Sequence, residues 1–177
     1  MPYAVTLPLD PLAAVHIQRM WRVLAEQTGA DDAIRLGYVP HITLAVLPDT
    51  VPVTELEEAA FHGAENWASL SVILAGLGVF PGTPPVIWVA PVVTASLLAN
   101  HASLLASIAP FTVDLHYHPG RWVPHVTLSR KGLPSAARGV EVVTPVWDGP
   151  IAARLERVEL VRFRPVKVLR SATLRSS

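Results

Sequence analysis

The pentapeptide Pro-His-aliphatic-Thr-Leu stands twice in this chain, as PHITL from Pro40 and as PHVTL from Pro124, 84 positions apart. The shift carries other segments with it. Tyr3 to Leu9, the alternating stretch YAVTLPL, falls on IWVAPVV from Ile87, and the segment after Leu12 falls near TASLLANHASLLASIA, rich in Ala and Leu. LGVFP falls within a residue or two on VELVRFRP, with Phe80 against Phe163. A period of this kind governs a fold before any local propensity does. The chain reads as one unit laid down twice.

Each unit has a readable order. YAVTLPL is a strand; Asp10 and Pro11 then give an N-cap and first-turn signal, and Leu12, Val15, Met20, Val23 and Leu24 recur at helical spacing until Gly29. YVPHITLAVL is the next strand, VTELEEAAFHGAENW a mostly polar helix, and SLSVILAGLGVF a third strand. FPGTPP marks the connection to the second unit. There the counterpart of the polar helix shrinks to LPSAARGVE, room for a turn or two. Two β-α-β-α-β units predict an α+β fold: one bilobal domain over 1–177, with repeats at about 1–82 and 85–170. Its mostly antiparallel sheets should flank a central cleft about an approximate two-fold axis.

Side chains at i and i+2 of a strand share a face. His41 and Thr43 therefore point one way and Ile42 and Leu44 the other, as do His125 and Thr127 against Val126 and Leu128. Packing needs the aliphatic residues; it has no need of His and Thr in both copies. Two imidazoles with ordinary pKa values near 6.5 can serve one reaction in opposite protonation states. One takes a proton from the attacking water or hydroxyl, and the other protonates the leaving oxygen on the far side of a phosphorus. The two threonines can donate to non-bridging phosphate oxygens. The scheme is phosphodiester cleavage, and it requires no metal or other cofactor.

At these residues the chain resembles the 2H phosphoesterase superfamily, whose signature is a pair of His-x-Thr/Ser-hydrophobic motifs in a duplicated fold, and within it the bacterial RNA 2',3'-cyclic phosphodiesterase or 2'-5' RNA ligase branch. The resemblance spans nearly the whole chain. It implies His41 and His125 as the catalytic pair and Thr43 and Thr127 as phosphate ligands. It adds Arg130, because HVTLSR runs on to an arginine as the bacterial branch often does. After the first motif the chain reads LAVLPD, where relatives nearer the ligases often carry an aromatic and a glycine. The implied activity is hydrolysis of a cyclic phosphodiester, with a 2',3'-cyclic phosphate as the leading substrate, and the implied partner is an RNA terminus or small cyclic nucleotide. A reversible 2'-5' RNA ligase, a hydrolase of another cyclic nucleotide, and a non-catalytic module that binds nucleotides or RNA ends are the alternatives.

Composition bounds the rest. The net charge is zero, but residues 1–120 carry three arginines against ten acids and residues 121–177 eleven basic residues against four. A neutral total argues against coating long nucleic acids, while a basic half leaves room for a local anion site. There is no cysteine, which removes disulfides and thiolate chemistry and fits a reducing cytoplasm. Mean hydropathy is +0.39, yet Ala68 to Phe80 is 13 residues and Val86 to Ala99 is broken by Pro91 and Thr94, short of the roughly 18 to 20 that a span needs. The N-terminal MPYAVTLPLD has neither a basic leader nor an apolar run. The expectation is a cytoplasmic monomer without a membrane partner.

Other residues invite weaker readings. Tyr3 and Trp88 open the first strand of each unit and could stack on a base, though core packing is the plainer role. LHYH puts His116 and His118 on one face of a possible strand, half of a metal site, with a solvated pair as the plainer reading and a metal-dependent hydrolase as the alternative. His16, His62 and His101 lie in helical text without a motif.

Overall fold

In the computed structural model, which describes residues 2–176, strand β1 (Tyr3–Pro8) turns at Asp10 into helix α1 (Pro11–Thr28). The signals that predict the turn also make it. Asp10 Oδ1 accepts from the N–H groups of Leu12 at 3.0 Å and Ala13 at 3.1 Å, and Gly29 closes the helix at φ 77°. The buried face of α1 differs from the one its leucine and valine spacing suggests. Ala13, Ile17, Met20, Trp21 and Leu24 form it, while Leu12 and Val15 are 82% and 57% exposed. Small alanines at 13 and 14 let the helix sit close to the sheet, and Leu12 is left on the outer side.

A four-residue helix α2 (Asp32–Arg35) precedes strand β2 (His41–Leu47), and then come helix α3 (Val53–Ala64) and strands β3 (Leu70–Phe80) and β4 (Val86–Pro91). Helix α4 (Ala95–Ser107) is capped by Thr94; strand β5 (Val126–Ser129) is followed by helix α5 (Ala136–Val143), capped by Ser135. Strands β6 (Ile151–Leu155), β7 (Arg157–Arg162) and β8 (Lys167–Thr173) complete the fold. The expected short helix in LPSAARGVE is α5. The segment LHYH forms a 3₁₀ turn over Leu115–Tyr117 in place of the possible strand, because Asp114 accepts from the backbone N–H of His116 and closes the chain into a turn.

Among the described residues the eight strands form one antiparallel sheet in the order β6-β3-β4-β5-β2-β1-β7-β8. The two expected sheets are its four-stranded halves, joined between β2 and β5 at the pair Ile42–Val126. The halves are not the two sequence repeats. Strand β3 leaves the first repeat to pair with β4, and β7, with β8 beside it, leaves the second to pair with β1, so strands are exchanged between the repeats. The sheet faces divide as the alternation predicts: Val5, Leu7, Ile42, Leu44, Ile87, Val89, Val126 and Leu128 are all at most 2% exposed in one core. Helices α1 and α5 pack together beside β5 and β6, and α3 and α4 beside β2 and β7. The opposite face of the central strands is left for the cleft. No helix among the described residues is long and apolar enough to cross a membrane.

Candidate active site

Register around Ile42–Val126 sets His41 against Thr127 and Thr43 against His125 across the junction of the two halves. All four side chains line one cavity of about 850 Å³, open mouth included, and Arg130 lines it too. The five residues singled out from the sequence are thus brought to one place by two strands that meet at their motifs.

Both imidazoles are held alike. His41 Nδ1 lies 2.7 Å from the carbonyl oxygen of Val39, and His125 Nδ1 lies 2.8 Å from that of Val123. A carbonyl only accepts, so Nδ1 carries the hydrogen in each ring and the neutral form keeps its lone pair on Nε2. The valines precede Pro40 and Pro124, and a residue before proline is confined to extended backbone. The carbonyl that orients each ring is therefore fixed by the proline of the motif.

Burial pushes His41 down to about 4, with the charges of His125 and Arg130 acting in the same direction and the Val39 carbonyl against it. His125 is lowered by burial and by Arg130, opposed by the Val123 carbonyl. The guanidinium of Arg130 is itself partly desolvated and feels the positive charge of Arg164. It is positioned by Asp32, whose carboxylate accepts from the Arg130 backbone N–H at 3.1 Å and from the Ser129 hydroxyl at 2.8 Å.

Aromatic rings frame the histidines. Tyr38 packs on His41 at 4.7 Å between centroids; Phe80 and Trp88 lie 5.1 and 5.7 Å from His125. The Tyr38 hydroxyl donates to Glu159 at 2.6 Å and lies 2.8 Å from the Thr6 hydroxyl, and Ser171 donates to the other Glu159 oxygen at 3.1 Å. Burial, then the Glu159 carboxylate, raises the Tyr38 pKa. Two indoles hold the motif strands from behind: Trp21 donates to the Thr127 carbonyl and Trp122 to the Thr43 carbonyl, each at 3.0 Å.

Sequence reasoning missed Tyr38, Trp122, Asp32 and Glu159. A signal for the first two was present, since the repeat extends two residues upstream of the pentapeptide as aromatic-valine, Tyr38-Val39 and Trp122-Val123. Of the weaker candidates, Tyr3 packs partly buried against the core, and Trp88 flanks His125. His116, with its side chain 91% exposed, lies 2.9 Å from Asp114, and His118 Nε2 lies 3.2 Å from the Val113 carbonyl. Among the described residues no group of three or more His, Cys, Asp or Glu gathers at a possible metal position. His101 is buried and stacks on Trp122 at 3.8 Å.

The mixed α+β architecture with its open antiparallel sheet of eight strands is the LigT-like 2H phosphoesterase fold. The sequence model of the 2'-5' RNA ligase superfamily matches residues 8–166, and the chain belongs to that superfamily. Among solved structures it is similar to the protein TT0787 of Thermus thermophilus, 20% identical with all of both chains covered and a TM-score of 0.68. It is also similar to apo LigT of E. coli, 16% identical over 99% of this chain and 98% of that one, TM-score 0.67. LigT complexed with 3'-AMP superposes with a TM-score of 0.66, at 16% identity over 98% and 99% of the chains. Among curated proteins no sequence matches.

Proposed function

We propose that the protein is a metal-independent hydrolase of cyclic phosphodiesters, with the 2',3'-cyclic phosphate of an RNA end or nucleotide as substrate. One observation carries the reading: two imidazoles, each anchored through Nδ1 by the carbonyl two residues back, line one cavity, each with a threonine two residues on. One neutral Nε2 takes a proton from water as its oxygen bonds to phosphorus. The opposite P–O bond to the ribose breaks, and the second ring, protonated, gives its proton to the departing oxygen. The product is a phosphate monoester. Thr43, Thr127 and Arg130 stabilise the charge that grows on the non-bridging oxygens. Since the imidazoles supply both proton transfers and these three side chains the charge stabilisation, no step calls for a metal. That a similar fold has been solved with 3'-AMP supports a nucleotide substrate.

The superfamily description favours a second reading, 2'-5' RNA ligation, which uses the same in-line step with an RNA 5'-hydroxyl in place of water. The test is release of nucleoside monophosphate from the four nucleoside 2',3'-cyclic phosphates with EDTA present, comparing the native chain with His41→Ala and His125→Ala. Metal-free turnover abolished by either substitution supports the reading. Absence of turnover, or turnover that survives both changes, overturns it and leaves the repeated motif to a different substrate, a binding role or the fold alone.

A further inference from the structure

The two halves of the cleft floor share a backbone register but not their side-chain sizes. Thr6 stands opposite Thr43 on one side of the junction, and Trp88 stands opposite Thr127 on the other. One pair further from the motifs, Ala4 faces Val161 in the first half and Val86 faces Phe80 in the second. Opposed residues on neighbouring strands share a face, so both pairs lie on the cleft side of the sheet. On the His125 side, Phe80 stacks on Trp88 at 4.9 Å, and both rings press on the imidazole. On the His41 side, Ala4 and Val161 fill far less space, and the cavity extends over them to Phe163 and Val166. Phe80 and Trp88 are not among the residues that line it.

From this asymmetry we infer that the nucleoside of the substrate is seated on the His41 side, on the floor made by Ala4 and Val161 and against Phe163, while Phe80 and Trp88 close the His125 side. The inference rests on the cyclic phosphodiester reading and adds a direction to it: the two-fold symmetry of the motifs does not extend to substrate binding. The surface is largely apolar, and its polar neighbours are already engaged, Tyr38 and Thr6 with each other and Glu159, and Asp32 with Ser129 and Arg130. Such a seat holds a base by packing on its face and reads its edge little, so the four bases should differ by no more than about tenfold in KM.

The test grafts one half of the floor onto the other. Val161→Phe and Ala4→Val place on the His41 side the residues that the ladder accommodates on the His125 side; Phe80→Val with Val86→Ala makes the reverse exchange. For each, kcat/KM is measured with adenosine 2',3'-cyclic phosphate and with glycerol 1,2-cyclic phosphate, which has no nucleoside, and calorimetry compares adenosine 3'-monophosphate with inorganic phosphate. Filling the His41 side should cost the nucleoside substrate at least about tenfold more than the glycerol one, and the reverse exchange should not. Equal losses on both substrates, or a nucleoside-selective loss from the reverse exchange, would overturn the inference. If the filling variants do not fold, the reverse exchange alone decides. If no cyclic phosphate is turned over at all, the hydrolase reading falls while the calorimetric ratio still decides where the nucleoside sits.

Discussion

The indole N–H of Trp122 donates to the backbone carbonyl of Thr43, 79 residues away, at 3.0 Å. Trp21 makes the equivalent bond to Thr127 across 106 residues. Each His-x-Thr strand is therefore tethered by a tryptophan from the other sequence repeat, near a junction where β2 and β5 meet at Ile42–Val126. Trp122→Phe keeps the stack on His101 but removes the donor. With the carbonyl left unsatisfied, the loss should be about 1 to 3 kcal/mol, read as a lowered urea midpoint at unchanged m-value. If the midpoint does not move, the bond contributes nothing to holding β2.

His41→Ala and His125→Ala should each lower kcat by roughly 10²- to 10⁴-fold, the usual worth of one positioned proton transfer. Because the two rings act in one step, the double variant should fall well short of the product of the two effects. Single-turnover rates with a nucleoside 2',3'-cyclic phosphate measure this. Fully multiplicative losses would mean the histidines act independently.

The motif residues were legible because strand periodicity is local: His41 and Thr43 had to share a face whatever the strand paired with. The strand exchange was not legible, since the 84-residue shift says nothing about which neighbour β3 or β7 chooses. Bulges between Val5 and Thr6 and between Ile87 and Trp88 then change the correspondence. In the ladder Trp88 answers to Thr6, and Phe80 answers to Val161 and not to Phe163. Glu159 lies 121 residues from Tyr38, and nothing near either residue in the sequence announces their bond. The helix face of α1 was misjudged because alanines carry little hydrophobic signal yet pack closest to the sheet.

Gly78 is where the frame around His125 is most easily disturbed. A Cβ there would come within 2.2 Å of the Trp88 ring. Gly78→Ala must displace the indole, and with it the stack on Phe80 that presses on His125. The expected cost is about 1 to 3 kcal/mol of stability from overpacking, with a loss of kcat larger than that of Gly76→Ala, a change on the same strand whose added Cβ would meet only the Ala90 Cβ, at 4.0 Å. Stability and kcat no worse than those of Gly76→Ala would show that the indole has room to move.

The activity should peak on the acid side of an ordinary histidine. The productive free enzyme holds one proton shared across the pair, and both rings are shifted downward, His41 to about 4 and His125 below the usual 6.5. The maximum of kcat/KM should therefore fall between about 4 and 6.5, as a property of the coupled pair. A profile of kcat/KM against pH at constant ionic strength measures it, and a maximum above pH 7 would show that burial does not control these rings.

The same burial makes the fold sensitive to acid before its carboxylates titrate. In the unfolded chain the imidazoles titrate near 6.5; in the folded chain burial lowers His41 to about 4 and also lowers His101 and His125. Between those values the unfolded chain binds more protons, so stability rises with pH there. The contribution of the neutral rings is complete above pH 6.5 and is lost as the pH falls toward 4. Asp114, held below its usual range chiefly by the backbone N–H of His116, loses its own contribution only at lower pH. Urea midpoints at pH 7.5, 6.5, 5.5 and 4.5 should decline from 6.5 downward, and less steeply in His101→Asn, which keeps a polar group but cannot take the proton. A midpoint flat from pH 6.5 to 4.5 would mean that these rings reach water and titrate as freely in the folded chain as in the unfolded one.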